Sequence, residues 1–191
     1  MTEPSLTIDR VRSARDSIYA HLAREMRELG ADPAAFAQDA VRLSGIDWLE
    51  RWLRPEIPPP PPIAVLFGAE WVEIEPSRVA LAFEPAEWMF NPFGAVYGGV
   101  TATALDILLG AALHTTLPAG SGYATNDLHV RFLRAMTADT GRVLATGTVV
   151  HAGRRHATVE GRVEVEATGD PIATATAAFT ILRPSHELAQ E

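Results

Sequence analysis

Residues 91–116 read NPFGAVYGGVTATALDILLGAALHTT, and how this stretch folds decides the architecture. From Gly98 onward it is too long for a short strand, and it is apolar almost all the way round. A helix of that composition is expected to be surrounded by protein and not to lie on a surface. It is also too short, and too interrupted by Asp106, Gly110 and His114, to read as a membrane span.

On both sides of this helix the texture is β. Upstream, 71–75 and 78–84 alternate apolar with polar residues and meet at a Pro-Ser turn. Downstream, strands are expected over 126–133, 141–150, 156–166 and 172–182. The segment from His156 alternates cleanly, with Ala157, Val159, Val163 and Val165 on one face and Thr158, Glu160, Arg162, Glu164 and Glu166 on the other. The links Ala152-Gly153-Arg154 and Thr168-Gly169-Asp170 are long enough for hairpins and too short for parallel crossovers. The expectation is an α+β domain, one antiparallel sheet of five or six strands with a single core helix.

The first third of the chain is helical in pattern. Val11, Ala14, Ile18, Leu22, Met26 and Leu29 recur at spacings of three and four, and Gly30 is placed to end that helix. Asp32-Pro33 opens a second helix running toward Gly45, since an Asp cap followed by Pro is a helix start. A short apolar piece over 46–53, with Trp48 and Trp52, stops before Pro55. These helices read as packing or assembly elements, with a lid as the other possibility. The prolines of 58–62 form a stiff, extended connector. The division expected is 1–62 as a helical extension with its connector, 63–184 as the main domain and 185–191 as a tail.

Composition narrows the function. Of the 191 residues 47% are hydrophobic and 21% charged, which excludes a disordered chain. A net charge of -8 argues against nucleic acid as a partner, because phosphates would be repelled. The absence of cysteine excludes disulfides, thiolate metal sites and Cys nucleophiles. The opening residues MTEPSLTIDR lack the basic and apolar regions of a signal peptide, so the expected location is the cytoplasm, with no membrane partner. No pair of histidines has zinc-ligand spacing, and no metal is expected.

Asp106 is the most informative residue. A carboxylate among Ala, Leu and Ile is costly to bury unless it is paired, hydrogen-bonded or useful. It reads equally as a core Asp bonded to backbone or to His114, or as a functional acid. Ahead of it, Asn91-Pro92-Phe93-Gly94-Ala95-Val96-Tyr97-Gly98-Gly99 places two glycines at the start of the core helix. A helix N-terminus offers unpaired N–H groups and a partial positive charge, and glycine lets a ligand approach the backbone. Those are the parts of an oxyanion hole.

With these residues the sequence resembles the hotdog-fold acyl-CoA thioesterases, specifically the phenylacetate-pathway (PaaI-like) thioesterase family. The family pattern is Asn, two residues, Gly, two residues, His-Gly-Gly, then an acid eight positions after the first of those glycines. Here it reads Asn91, Gly94, Tyr97-Gly98-Gly99 and Asp106. TNDLHVRFLR over 125–134 looks like the strand after the core helix, and VVHAGRR over 149–155 like the next hairpin. The resemblance spans about 63–182, and GIDWLERWL before the prolines is similar to some members.

The resemblance implies a hotdog fold, a sheet wrapped around the core helix, that hydrolyses an acyl-CoA thioester without a cofactor, coenzyme A being part of the substrate. By the same resemblance Asp106 is the carboxylate, as general base or nucleophile. Gly98 supplies the N–H that polarises the carbonyl, Asn91 positions the reacting groups, and Thr125 lies near the attacking water. Thr125 also reads as a plain strand threonine. Tyr97 and Gly99 are expected beside the substrate. Gly153-Arg154-Arg155 resembles the turn that contacts coenzyme A phosphates, and two guanidiniums suit a polyanion. Tyr97 replaces the family's histidine, and a phenol with a reference pKa of about 10 is a poor base near neutrality. The other reading is a non-catalytic acyl-CoA-binding or sensing protein of the same fold.

Helix geometry adds one expectation. Gly98 and Asp106 are eight residues apart, or about 12 Å along one helix. An oxyanion donor and an attacking group must both lie within about 3–3.5 Å of one carbonyl. The expected site is therefore shared between two chains, with Gly98 of one facing Asp106 of the other, and the resemblance implies a homodimer or homotetramer with its sites at the interface.

Overall fold

The computed structural model describes residues 8–28, 42–54, 62–66 and 68–183. Helix α1 (Ile8–Glu28) is followed by α2 (Gly45–Glu50), which a 3-10 turn extends through Arg51–Leu53, and by α3 (Pro62–Leu66). The strands are β1 (Glu70–Glu75), β2 (Arg78–Phe83), β3 (Gly122–Phe132), β4 (Val143–Ala152), β5 (His156–Val165) and β6 (Pro171–Leu182). Helix α4 (Gly98–His114) lies between β2 and β3 in the chain. The expected helix opened by Asp32-Pro33 and the tail 185–191 fall outside the described residues, as does most of the proline run.

All pairings are antiparallel, and the six-stranded sheet has the order β1-β2-β4-β5-β6-β3. One face wraps α4, whose Leu105, Leu108, Leu109, Ala112 and Leu113 are fully buried among Val79, Leu81, Val143, Val159, Val163 and Phe179. Gly147 and Gly161, paired across β4 and β5, let the helix come this close. A side-chain carbon at Gly161 would lie 2.6 Å from Leu109, and one at Gly147 would lie 3.2 Å from Leu108. The fold is the hotdog fold, a curved antiparallel sheet around one helix.

Several expectations change in detail. Strand β3 begins four residues earlier than the sequence indicates, at Gly122. In β2 the alternation gives way to burial on both faces, since Ala80 and Ala82 are as enclosed as Leu81. Segment 46–53 packs into the main core. Leu49 is buried, Trp48 stacks edge-on against Trp52 at 4.4 Å and His114 at 5.3 Å, and Gly45 N–H bonds to the Leu117 carbonyl at 2.9 Å. These residues close the C-terminal end of the core helix. On α1 the apolar Ile8, Val11 and Ile18 are exposed. No described helix is long and apolar enough to cross a membrane.

Candidate active site

The loop before the core helix is built by Asn91. Its side-chain oxygen accepts from the Phe93 N–H at 2.8 Å and the Ala95 N–H at 3.3 Å, and its own N–H donates to the Ala95 carbonyl at 2.7 Å. Gly94 turns the chain with φ 76°, a conformation that side-chain-bearing residues rarely adopt. Val96 N–H then bonds to Met136 and Tyr97 N–H to Met89, both carbonyls of buried methionines. These contacts fix where the helix starts. Asn91 thus spends its carbonyl oxygen on the loop, a positioning role carried out through backbone.

Tyr97 occupies the cap position of α4 and offers no side-chain hydrogen bond to it, and no acid stands in the first turn. The first N–H groups, Gly98 and Gly99 among them, have no partner within the helix by its geometry. Phe132 covers Gly98, so that a side-chain carbon there would meet its ring at 3.0 Å. Gly99 is open, and Tyr97 is half exposed. A cavity of about 380 Å³ beside Gly98 is lined by Asn91, Val96, Thr101, Phe132 and Met136, and Asp106 is not part of it. The cavity at the helix N-terminus thus does not reach the carboxylate.

Asp106 corrects the sequence reading on two points. It is exposed, because the sheet wraps one side of α4 and leaves a stripe with Gly99 and Asp106 open and Ala102, Thr103 and Ile107 partly covered. It also makes no bond to His114. Instead the Thr125 hydroxyl donates to Asp106 Oδ1 at 3.0 Å. The structure thus joins two residues that the sequence offered separately.

A β-bulge produces that contact. Between Thr125 and Asp127 the β3–β6 register shifts, and the extra residue, Asn126, accepts a hydrogen bond from Thr180 at 3.0 Å. The shift lets Tyr123 and Thr125 face the helix together with Leu128 and Val130, positions that a regular strand would divide between its faces.

Tyr123 is a neighbour that the sequence reading missed. Its ring packs where a side chain at Gly110 would be, with its hydroxyl 2.5 Å from that position. Burial and the nearby Asp106 carboxylate push its phenol up to about 12. Phe132 was equally unsignalled. Both lie on a strand whose inward face cannot be known without the bulge.

The Gly153-Arg154-Arg155 turn joins β4 to β5, closed by a hydrogen bond from Gly153 N–H to the His156 carbonyl at 2.9 Å. Both arginines are exposed. His129, His151 and His156 are also exposed, and among the described residues no three His, Asp or Glu side chains gather as a metal site would require.

No curated protein matches the chain in sequence. The thioesterase-superfamily family model matches residues 93–172, from the loop of Gly94 to the start of β6. A thioesterase family protein from Silicibacter pomeroyi is similar in structure, with a TM-score of 0.62 and 22% identity, covering 74% of this chain and 98% of its own. A phenylacetic acid degradation-related protein from Ralstonia eutropha has a TM-score of 0.61 and 28% identity, covering 69% of this chain and 97% of its own. A Streptococcus mutans protein bound to acetyl-CoA has a TM-score of 0.55 and 24% identity, covering 61% and 91%. Residues 93–172 are thus similar to the thioesterase superfamily, and the hotdog fold is shared with thioesterase-family proteins of solved structure.

Proposed function

We propose that the chain is an acyl-CoA thioesterase of the PaaI-like kind, releasing a free carboxylic acid and coenzyme A at a site made by two copies. The observation that carries this reading is the Asp106 carboxylate. It stands on the open stripe of the core helix, held by the Thr125 hydroxyl at 3.0 Å, on a helix whose N-terminus lacks a side-chain cap.

The second copy follows from what one chain leaves open. β3 is an edge strand of 11 residues, largely exposed, and unpaired edges of that length are ready to pair. Joining two β3 edges about a two-fold axis lays the two core helices antiparallel, with their open stripes facing. Asp106 of one copy then meets Gly98 of the other. The family resemblance and the acetyl-CoA held by the Streptococcus mutans protein support a coenzyme A thioester as the ligand.

In this site Asp106 takes a proton from water as the oxygen attacks the thioester carbon. The carbonyl oxygen gains negative charge and is met by the Gly98 N–H and the partial positive charge of the helix end. Collapse of the tetrahedral adduct breaks the C–S bond, and the proton on Asp106 passes to the leaving sulfur. No cofactor enters these steps. Tyr97 lines the substrate at the helix cap without acting as the base. Arg154 and Arg155, both exposed on their turn, are the groups assigned to the nucleotide phosphates of coenzyme A, by the family resemblance and by the fit of two guanidiniums to a polyanion.

Thiol release from a panel of acyl-CoA substrates tests the reading. The wild type should turn over at least one of them. Asp106→Asn should lower kcat by about 10²–10⁴-fold, the usual share of general base catalysis, with unchanged thermal unfolding. Tight binding of acyl-CoA with no thiol release would make the protein a binder or sensor. A variant that keeps more than about a tenth of kcat would remove Asp106 from the mechanism.

A further inference from the structure

Helix α1 is 21 residues long, yet its apolar side chains find no cover in their own chain. Ile8, Val11, Ile18 and Tyr19 are each more than half exposed, and no residue of the helix belongs to the core or packs against it. A lone helix of this length is marginal in water, and helices in proteins are held chiefly by an apolar face against a partner. The stripe has a definite rhythm. Ile8, Val11, Arg15, Ile18, Leu22 and Glu25 follow at spacings of three and four in turn, and Leu29 continues the series in the sequence. That is the seam of a two-stranded coiled coil. Asp9, Arg10, Asp16, Arg24 and Arg27 fall on the side away from it.

Two charges of opposite sign interrupt the seam, and they are placed symmetrically. Arg15 and Glu25 lie five residues before and after position 20, Ile18 and Leu22 two before and after, and Val11 and Leu29 nine before and after. We propose that α1 pairs antiparallel with α1 of a second copy, about a two-fold axis level with residue 20. The pairing stands on α1 alone and not on the thioesterase reading. In this register Ile18 meets the partner's Leu22 and Arg15 the partner's Glu25, each contact occurring twice. A parallel pair would set Arg15 on Arg15 and Glu25 on Glu25, so the charges select the antiparallel one. Within its own chain Arg15 holds Asp16 at 2.8 Å, and Glu25 lies 3.5 Å from both His21 and Arg24, pairs that stay open to solvent. Such exposed pairs contribute little, so exchanging them across the seam costs little.

The chain has no cysteine, so introduced cysteines report the pairing without background. Full-length Ile18→Cys and Leu22→Cys chains, co-expressed with different tags, keep one of the two Ile–Leu contacts intact. Under mild oxidation they should form a heterodisulfide about tenfold or more faster than a Ser13→Cys and Arg27→Cys pair, which is symmetric about the same level on the far side of the helix. The heterodisulfide should also outpace the homodisulfides of Ile18→Cys and of Leu22→Cys. Adding Arg15→Glu to both chains should slow it about tenfold, and adding Glu25→Arg as well should restore it. Unchanged thermal unfolding of each variant checks that the main domain is intact. A heterodisulfide no faster than the far-side control would overturn the proposal and leave the stripe to some other cover. Dominant homodisulfides would mark a parallel pair and overturn it equally, as would a loss from Arg15→Glu that Glu25→Arg does not repair. No arm of this test reads activity, so its outcome is separate from that of the thioesterase assay.

Discussion

At the scale of single residues, the Thr125–Asp106 bond links fold to chemistry. A hydrogen bond to a charged group is worth about 1.5–3 kcal/mol, and an exposed one belongs at the low end of that range. Since about 1.4 kcal/mol is a factor of ten in rate, Thr125→Ala should lower kcat roughly tenfold with KM little changed. Thr125→Ser, which keeps the hydroxyl, should recover most of the loss. Steady-state kinetics on the best acyl-CoA checks both. An alanine variant with wild-type kcat would make Thr125 a plain strand residue. The sequence displayed Asp106, Gly98 and Asn91 through their spacing, yet it did not display the Thr125 contact. That contact depends on the bulge at Asn126, and a bulge reverses the inward face without any change in composition. It also misjudged the burial of Asp106. An apolar helix looks surrounded whether its last open stripe is covered by its own sheet or left for another chain.

At the scale of elements, the core helix ends on a histidine that the proposed chemistry does not use. His114 is 6% exposed, and neither of its ring nitrogens has a hydrogen-bond partner among the described residues. Burial holds its pKa below the ordinary 6.5. The unfolded chain therefore takes up a proton near pH 6.5 that the folded chain refuses. The stability His114 allows is complete above that pH and is lost as pH falls through it, levelling off below the folded-state value. His114→Phe keeps an aromatic ring between Trp48 and Tyr123 and removes the titration. Its Tm should fall less than that of the wild type between pH 8 and pH 5, as read by thermal unfolding at each pH. Parallel Tm profiles would exclude His114 as the cause. The helix itself was plain in the sequence, as was β5, whose alternation matches the buried Ala157, Val159 and Val163. The double burial of β2 was not, because small alanines on its second face carry no strong pattern. Nor was the strand order, since short links fix hairpins and leave the place of β3 at the edge beyond β6 open.

At the scale of the whole molecule, charge and symmetry govern the proposed site. The chain carries a net charge of -8, so a coenzyme A polyanion is repelled by the surface as a whole and must be held locally. The Arg154→Ala, Arg155→Ala double variant should raise KM for acyl-CoA and flatten its salt dependence while kcat stays nearly constant. An unaltered KM would leave that turn as a hairpin turn only. The central claim is that one chain supplies the carboxylate and another the helix N-terminus. Complementation between two weak variants tests it most directly. Asp106→Asn removes the carboxylate, and Asn91→Ala loosens the loop that fixes Gly98. In a mixed dimer one site carries both defects and the other neither. Purified from co-expression with two different tags, mixed dimers should regain up to about half of wild-type activity per dimer, far above either parent. Mixed dimers that remain as inactive as their parents would show that both residues act within one chain, and would contradict the account.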